Sequence, residues 1–270
     1  MRLFLGGGWR DAFTWACLSL ALSRAEAVSA STFRVSPVQV TLSSTTPSAL
    51  LTVGNDGDEP LRFQVSAFTW DQDNKGRMRL TPTQDIVFFP MMLTVDGHDQ
   101  RRIRVGSTLA AGANEKTYRI FVEELPPLSA SAADAGKYQI KVLTKFGIPV
   151  FVQPLRPTTE PTVEFRGVSD DNLHIAIRNL GNTHLMLQTV HLHGIGADGA
   201  GLIDRESEGW YVLAGGERDY DQPLSASECA SLKSLAVDAE TDKGPIAGRI
   251  DVPASTCDSF AASTASLKTN

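Results

Sequence analysis

The sequence predicts an all-β chain folded as two immunoglobulin-like β-sandwich domains. Three observations predict it. Short runs that alternate apolar and polar residues recur about every 10–15 residues. Turn clusters separate the runs, drawing on 22 glycines and 14 prolines. The pattern then pauses at Gln153-Pro154-Leu155-Arg156-Pro157 and restarts beyond it. A segment bracketed by prolines is stiff and extended, as a short interdomain linker should be. The expected division is an export signal over 1–27, a first domain over 28–154, a smaller second domain over 158–257 and a frayed tail over 258–270.

The elements follow in order. Arg2 and Arg10 precede an apolar stretch from Phe13 to Leu22, and Ala25-Glu26-Ala27 has the small-x-small form of a cleavage site. The stretch is too short to span a membrane, which takes about 20 apolar residues. Phe33 to Leu42 alternates through Val38, Val40 and Leu42 and reads as the first strand. Ala49 to Val53 is the second, stopped by Gly54-Asn55-Asp56-Gly57. Leu61 to Trp70 alternates through Phe63, Val65 and Ala67, and Asp71 to Gly76 is a polar turn. Ile86 to Phe89, Arg101 to Val105 and Thr117 to Leu125 are further strands. Tyr138 to Val152 is the longest β-rich run, with a bulge or bend expected at Gly147 and Pro149. Past the linker, shorter strands read as Thr162 to Val168, Leu173 to Asn179, Leu185 to His193, Trp210 to Leu213, Arg218 to Tyr220, Ser234 to Val237 and Gly248 to Val252. The glycine-rich Gly194 to Gly201 reads as a hairpin loop.

The 270 residues are 42% hydrophobic and 21% charged, so the chain is globular. A net charge of −6 argues against a nucleic-acid binder that neutralises phosphates. Of three cysteines, Cys17 lies in the export signal. Cys229 and Cys257 remain, and an even pair in an exported protein is most simply a disulfide. Two free buried thiols fit an oxidising compartment less well. Its loop would stabilise by about 3 kcal/mol on the loop-entropy model.

Enzyme readings find little support. His191 and His193 share one face of a strand, a spacing metal sites use, but no acid or cysteine completes a set at convincing spacing. Solvent-facing strand histidines are the plainer reading, and no metal or cofactor is called for. There is no nucleophile elbow and no phosphate-binding glycine loop. Glu123 and Glu124 are neighbours in a strand and face opposite sides.

Four local motifs then carry a resemblance: Phe33-Arg34-Val35-Ser36-Pro37, Val53-Gly54-Asn55 before an acidic turn, Tyr118 to Pro127 (YRIFVEELPP), and Lys145 to Phe151 (KFGIPVF). In this order they resemble the periplasmic chaperones of the chaperone–usher pilus pathway. The FGIPVF segment is most similar to the archaic branch. The resemblance is clearest from Phe33 to Pro154. It implies an L- or boomerang-shaped pair of domains with a cleft between them. It implies a non-catalytic protein of the periplasm that binds, folds and caps pilus subunits and delivers them to an outer-membrane usher, without entering the membrane.

By that resemblance the chaperone lends its seventh strand to a subunit that lacks its own last strand. Here the lent strand would run from Tyr138 to Lys145, with Tyr138, Ile140, Val142 and Thr144 on the face given to the subunit. Recognition would be β-augmentation, with backbone bonds for generality and alternate side chains for burial. The family also anchors the subunit's C-terminal carboxylate on cations in the cleft. Gln39 and Pro149 stand where the usual Arg and Lys would align. Arg119, Lys145 and Arg34 remain as candidates. An interdomain salt-bridge network would join Arg104, Glu115 and Asp242. Two other readings stay open: a pilus subunit or adhesin with immunoglobulin-like domains, and a secreted β-sandwich carbohydrate-binding protein.

Overall fold

The computed structural model describes residues 32–128 and 142–257. The expected export signal, the expected frayed tail, Tyr138 and Ile140 lie outside the described residues. Eighteen described strands form four sheets that pair into two sandwiches.

The first sandwich packs a sheet ordered β1 (Phe33–Ser36), β3 (Ser48–Asn55), β8 (Gln100–Ser107) and β6 (Ile86–Phe89). Its partner is ordered β2 (Val40–Leu42), β10 (Lys145–Val152), β9 (Lys116–Leu125), β4 (Leu61–Gln72) and β5 (Met78–Pro82), with β7 (Met92–Val95) also on β4. The alternation read along Leu61 to Trp70 is the cause of this packing. Phe63, Val65 and Ala67 face inward and meet Leu51, Ile103, Ile120 and Val150 in one buried cluster.

Two expectations need correction here. Phe33 to Leu42 is not one strand. The chain leaves the first sheet after Ser36, passes the cis Ser36–Pro37 bond, and joins the second sheet at Val40 beside β10. Proline has no N–H to give, so the ladder breaks where it sits. Nor is there a bulge at Gly147 and Pro149: β10 pairs β9 in unbroken register from Lys145↔Glu123 to Val152↔Lys116. On its other side, among the described residues, β2 pairs only Val150–Val152. Pro149 therefore lies on an edge, where proline costs least.

The second sandwich packs β11 (Pro161–Ser169), β12 (Asn172–Asn179) and β16 (Glu217–Pro223) against β14 (Gly201–Glu208), β13 (Leu185–Gly196), β17 (Leu232–Thr241) and β18 (Ile246–Asp251), with β15 (Tyr211–Val212) on β13. Leu173, Ile175, Leu187, Leu192, Leu235 and Val237 are among its core. A short helix α1 (Ala226–Ser231) precedes β17 and opens on a capping box between Ser225 and Glu228. The Cys229–Cys257 disulfide ties α1 to the last described turn, across a separation of 28 residues. Full reduction should lower unfolding free energy by about 3 kcal/mol. Urea titration with and without reductant, alongside a mass shift of two hydrogens, checks this.

A third apolar cluster joins the two sandwiches. Trp70 and Phe151 from the first meet Tyr211 and Leu213 from the second, with Leu80, Met186 and Trp210 packed around them.

Candidate functional site

The outer face of the β10–β9–β4 sheet carries the site. Strand periodicity sets this: Tyr118, Ile120 and Val122 point into the core, so Thr117, Arg119, Phe121 and Glu123 point out. Across the sheet, Arg119 sits opposite Phe68 on β4 and Pro149 on β10.

Arg119 is 7% exposed although it faces away from the core. The second domain covers it. Its guanidinium lies 4.0 Å from the centroid of Trp70, 5.7 Å from Tyr211 and 5.9 Å from Trp210. One nitrogen, Nη1, donates to the Gly147 carbonyl at 3.2 Å. Nε and Nη2 have no hydrogen-bond partner among the described residues, and neither do the indole N–H groups of Trp70 and Trp210. Burial pushes the Arg119 pKa down from its ordinary value, with Tyr211 opposing that shift. A cation over aromatic faces is attracted to them, yet that attraction leaves its N–H groups unsatisfied. A guanidinium beside two indole N–H groups is a donor set that suits an anion.

The other two cations are already occupied. Lys145 Nζ lies 2.8 Å from Glu123 Oε2 and 4.7 Å from the Phe121 ring. Arg34 pairs with Asp56, in the other sheet. Phe121 also explains Gly147: a Cβ there would meet the Phe121 ring at 2.8 Å.

The stretch entering β10 is open. Residues 145–149 have β9 on one side, and among the described residues no strand covers the other. The ladder runs one residue further back, since the Glu124 N–H donates to the Thr144 carbonyl at 2.9 Å. Val142 and Thr144 precede the strand, and Val142 is 48% exposed.

The expected Arg104–Glu115–Asp242 network does not assemble. Arg104 is on β8 in the opposite sheet and reaches Ser48 at 3.3 Å. Asp242 accepts from the Met186 N–H at 2.8 Å and lies 3.1 Å from Lys243. Glu115 does bridge the domains, but to His184. Its Oε2 accepts from the His184 backbone N–H at 2.8 Å and from Nδ1 at 2.7 Å. The His184 ring stacks on Phe151 with centroids 3.6 Å apart. Beside this pair, Asn182 donates from Nδ2 to the carbonyls of Ala113 and Arg156 at 2.8 and 2.9 Å.

The sequence reading also passed over a second bridge. The β4–β5 hairpin reaches across to β16. Gly76 turns its tip at φ +77°. Gln72 donates to the Tyr211 carbonyl at 2.7 Å, and the Asp219 N–H to the Asn74 carbonyl at 2.7 Å. Lys75 Nζ lies 2.6 Å from Asp221, which also takes His174 Nδ1 at 2.8 Å. The Lys75 bond first, then that of His174, holds the Asp221 carboxyl below its ordinary pKa.

His191 and His193 do share a face, with parallel rings 6.2 Å apart. Strand β14, which the sequence reading missed, sets Glu206 and Asp204 beside them at 4.0 and 3.2 Å. Among the described residues no group of three such side chains is placed to hold a metal ion. No described helix is long and apolar enough to cross a membrane.

Comparison with known proteins adds to this geometry. Residues 32–157 match the family described as pili and flagellar-assembly chaperone, PapD N-terminal domain. No curated protein sequence matches the chain. Solved structures share its fold. A chain of the CsuC–CsuE chaperone–tip adhesion subunit complex of archaic Csu pili from Acinetobacter baumannii is 15% identical, with 82% of this chain and 97% of that one covered at a TM-score of 0.54. The Salmonella enterica SafA pilin–SafB chaperone complex gives 13%, 83%, 99% and 0.56. The Pseudomonas aeruginosa CupB2 chaperone gives 14%, 82%, 100% and 0.52. Residues 32–157 thus match the pili and flagellar-assembly chaperone model, within a chain whose two-sandwich fold is similar to that of these solved structures.

Proposed function

We propose that this protein is a periplasmic chaperone for pilus subunits, acting by donor-strand complementation and handing its client to an outer-membrane usher. The observation that carries the reading is the edge at residues 145–149, uncovered among the described residues and running toward a buried arginine whose Nε and Nη2 have no hydrogen-bond partner there. An open edge offers unpaired backbone groups to an incomplete sandwich. Tyr138, Ile140, Val142 and Thr144 supply the side chains of the lent strand. Arg119 takes the client's terminal carboxylate, since Lys145 and Arg34 already have acidic partners. Guanidinium binds carboxylate through two parallel bonds. The FGIPVF segment supports a place in the archaic branch, and the proline-bracketed stretch supports a domain division at residues 154–158. The protein is not an enzyme.

Co-expression with a candidate subunit tests this. Ile140→Asp with Val142→Asp should abolish recovery of soluble complex, because each buried apolar side chain contributes about 1.5–3 kcal/mol. Arg119→Ala should cut recovery about 10–100-fold, the worth of a charged hydrogen bond. Undiminished complex from the double variant would remove the lent strand. Undiminished complex from Arg119→Ala would remove the anchor.

A further inference from the structure

The anchor reading leaves a difficulty. Arg119 is sheltered by Trp210 and Tyr211 of the second domain, and its free N–H groups are out of reach of solvent. A carboxylate cannot reach them in this arrangement. We propose that the second domain is a lid over Arg119, latched by the β4–β5 hairpin, and that the client's terminal carboxylate binds only when the latch lets go. This rests on Arg119 as the anchor.

The energetics set two terms against each other. Closing the lid strips water from a guanidinium and two indole N–H groups and returns one hydrogen bond, to Gly147. Unsatisfied buried donors oppose burial. Something must hold the lid down against that cost. The Phe151 cluster and the Glu115–His184 pair hold one end of the contact, and the hairpin holds the other through three links: Gln72 to the Tyr211 carbonyl, Asn74 with Asp219, and Lys75 with Asp221. The first seizes the backbone of Tyr211, which lies over Arg119. The other two are 2.5 and 2.6 Å contacts at a solvent-exposed tip. An exposed tip can exchange with water at small cost, so the hairpin is the end of the domain contact that releases first, while the buried Glu115–His184 pair and the Phe151 stack serve as the hinge. The chemistry of the sheltered groups selects the ligand class. All four are donors and the guanidinium carries a full positive charge, so the open site favours a carboxylate over a neutral amide.

A ligand that binds only the open state has its affinity reduced by the open fraction. Loosening the latch should raise it. The test uses the mature protein and an acetylated apolar pentapeptide with a free C-terminal carboxylate, titrated by tryptophan fluorescence. Trp70 and Trp210 flank Arg119, so they report directly. Asn74→Ala with Lys75→Ala should tighten binding about 3–10-fold. The C-terminal amide of the same peptide should bind more weakly. A Cys pair introduced as Asn74→Cys with Asp219→Cys should bind before oxidation and lose binding after it. If the loosened latch leaves affinity unchanged or weaker while Arg119→Ala abolishes binding, the lid is wrong and the anchor stands. If oxidised and unoxidised Cys-pair protein bind alike, the lid is equally wrong. If Arg119→Ala binds as the parent does, or the amide binds as well as the acid, the anchor itself falls and the lid with it.

Discussion

Phe151→Ala should cost about 3–5 kcal/mol of unfolding free energy, the usual range for a fully buried phenylalanine. Phe151 is 0% exposed, yet it belongs to neither sandwich core. It stacks on His184 at 3.6 Å and lies 5.9 Å from Trp70 and 5.8 Å from Tyr211. Removing it empties the centre of the interdomain cluster, and the rigid strands on either side cannot collapse into the space. The loss should show as a split urea transition, with the two sandwiches melting separately. A single transition shifted by less than about 1 kcal/mol would mean that the cluster does not couple the domains.

Glu115→Ala should cost about 2–5 kcal/mol. Its carboxylate is the acceptor for both the His184 backbone N–H and Nδ1, and the two side chains are 1% and 5% exposed. Deleting it orphans two buried donors, at about 1–3 kcal/mol each. Glu115→Gln keeps one carbonyl oxygen and should recover part of the loss. Thermal unfolding of both variants checks this. Equal stability of Glu115→Ala and the parent would reduce the pair to a passive contact.

Much of the fold was legible because its signal is local. Leu61 to Trp70 alternates, and the structure forms β4 there, two residues longer. Of the strands that escaped notice, Met92–Val95 alternates but is only four residues long, and two others lack a clear alternation. Met78–Pro82 is exposed along most of its length, and Gly201–Glu208 buries only Ile203. Both are recruited by pairing, which a sequence window cannot see. The helix at Ala226–Ser231 did leave a mark, Ser225 with Glu228 three residues on, but six residues are too few for a helical period. At the site, Arg119 was legible as a cation that interrupts an apolar strand. Its burial was not, because Trp70 and Tyr211 come from distant parts of the chain. Glu115 was read as an interdomain acid and bridges the domains. Its partner was misassigned, since Arg104 belongs to the opposite sheet and a histidine had taken the place.

Strand β4 has 12 residues and so runs for about 40 Å, longer than one sandwich requires. Two different strands share its outer edge: β7 pairs Leu61–Gln64 and β5 pairs Phe68–Gln72. The half on β7 lies over the first core, while the half on β5 projects toward the second domain. A few residues gained or lost at the Asp73–Gly76 tip would therefore alter how the domains meet without disturbing a single core contact. The hairpin is thus a place where sequence change resets the angle between the domains, and under the role proposed above the clients accepted, while the folding of each sandwich stays the same.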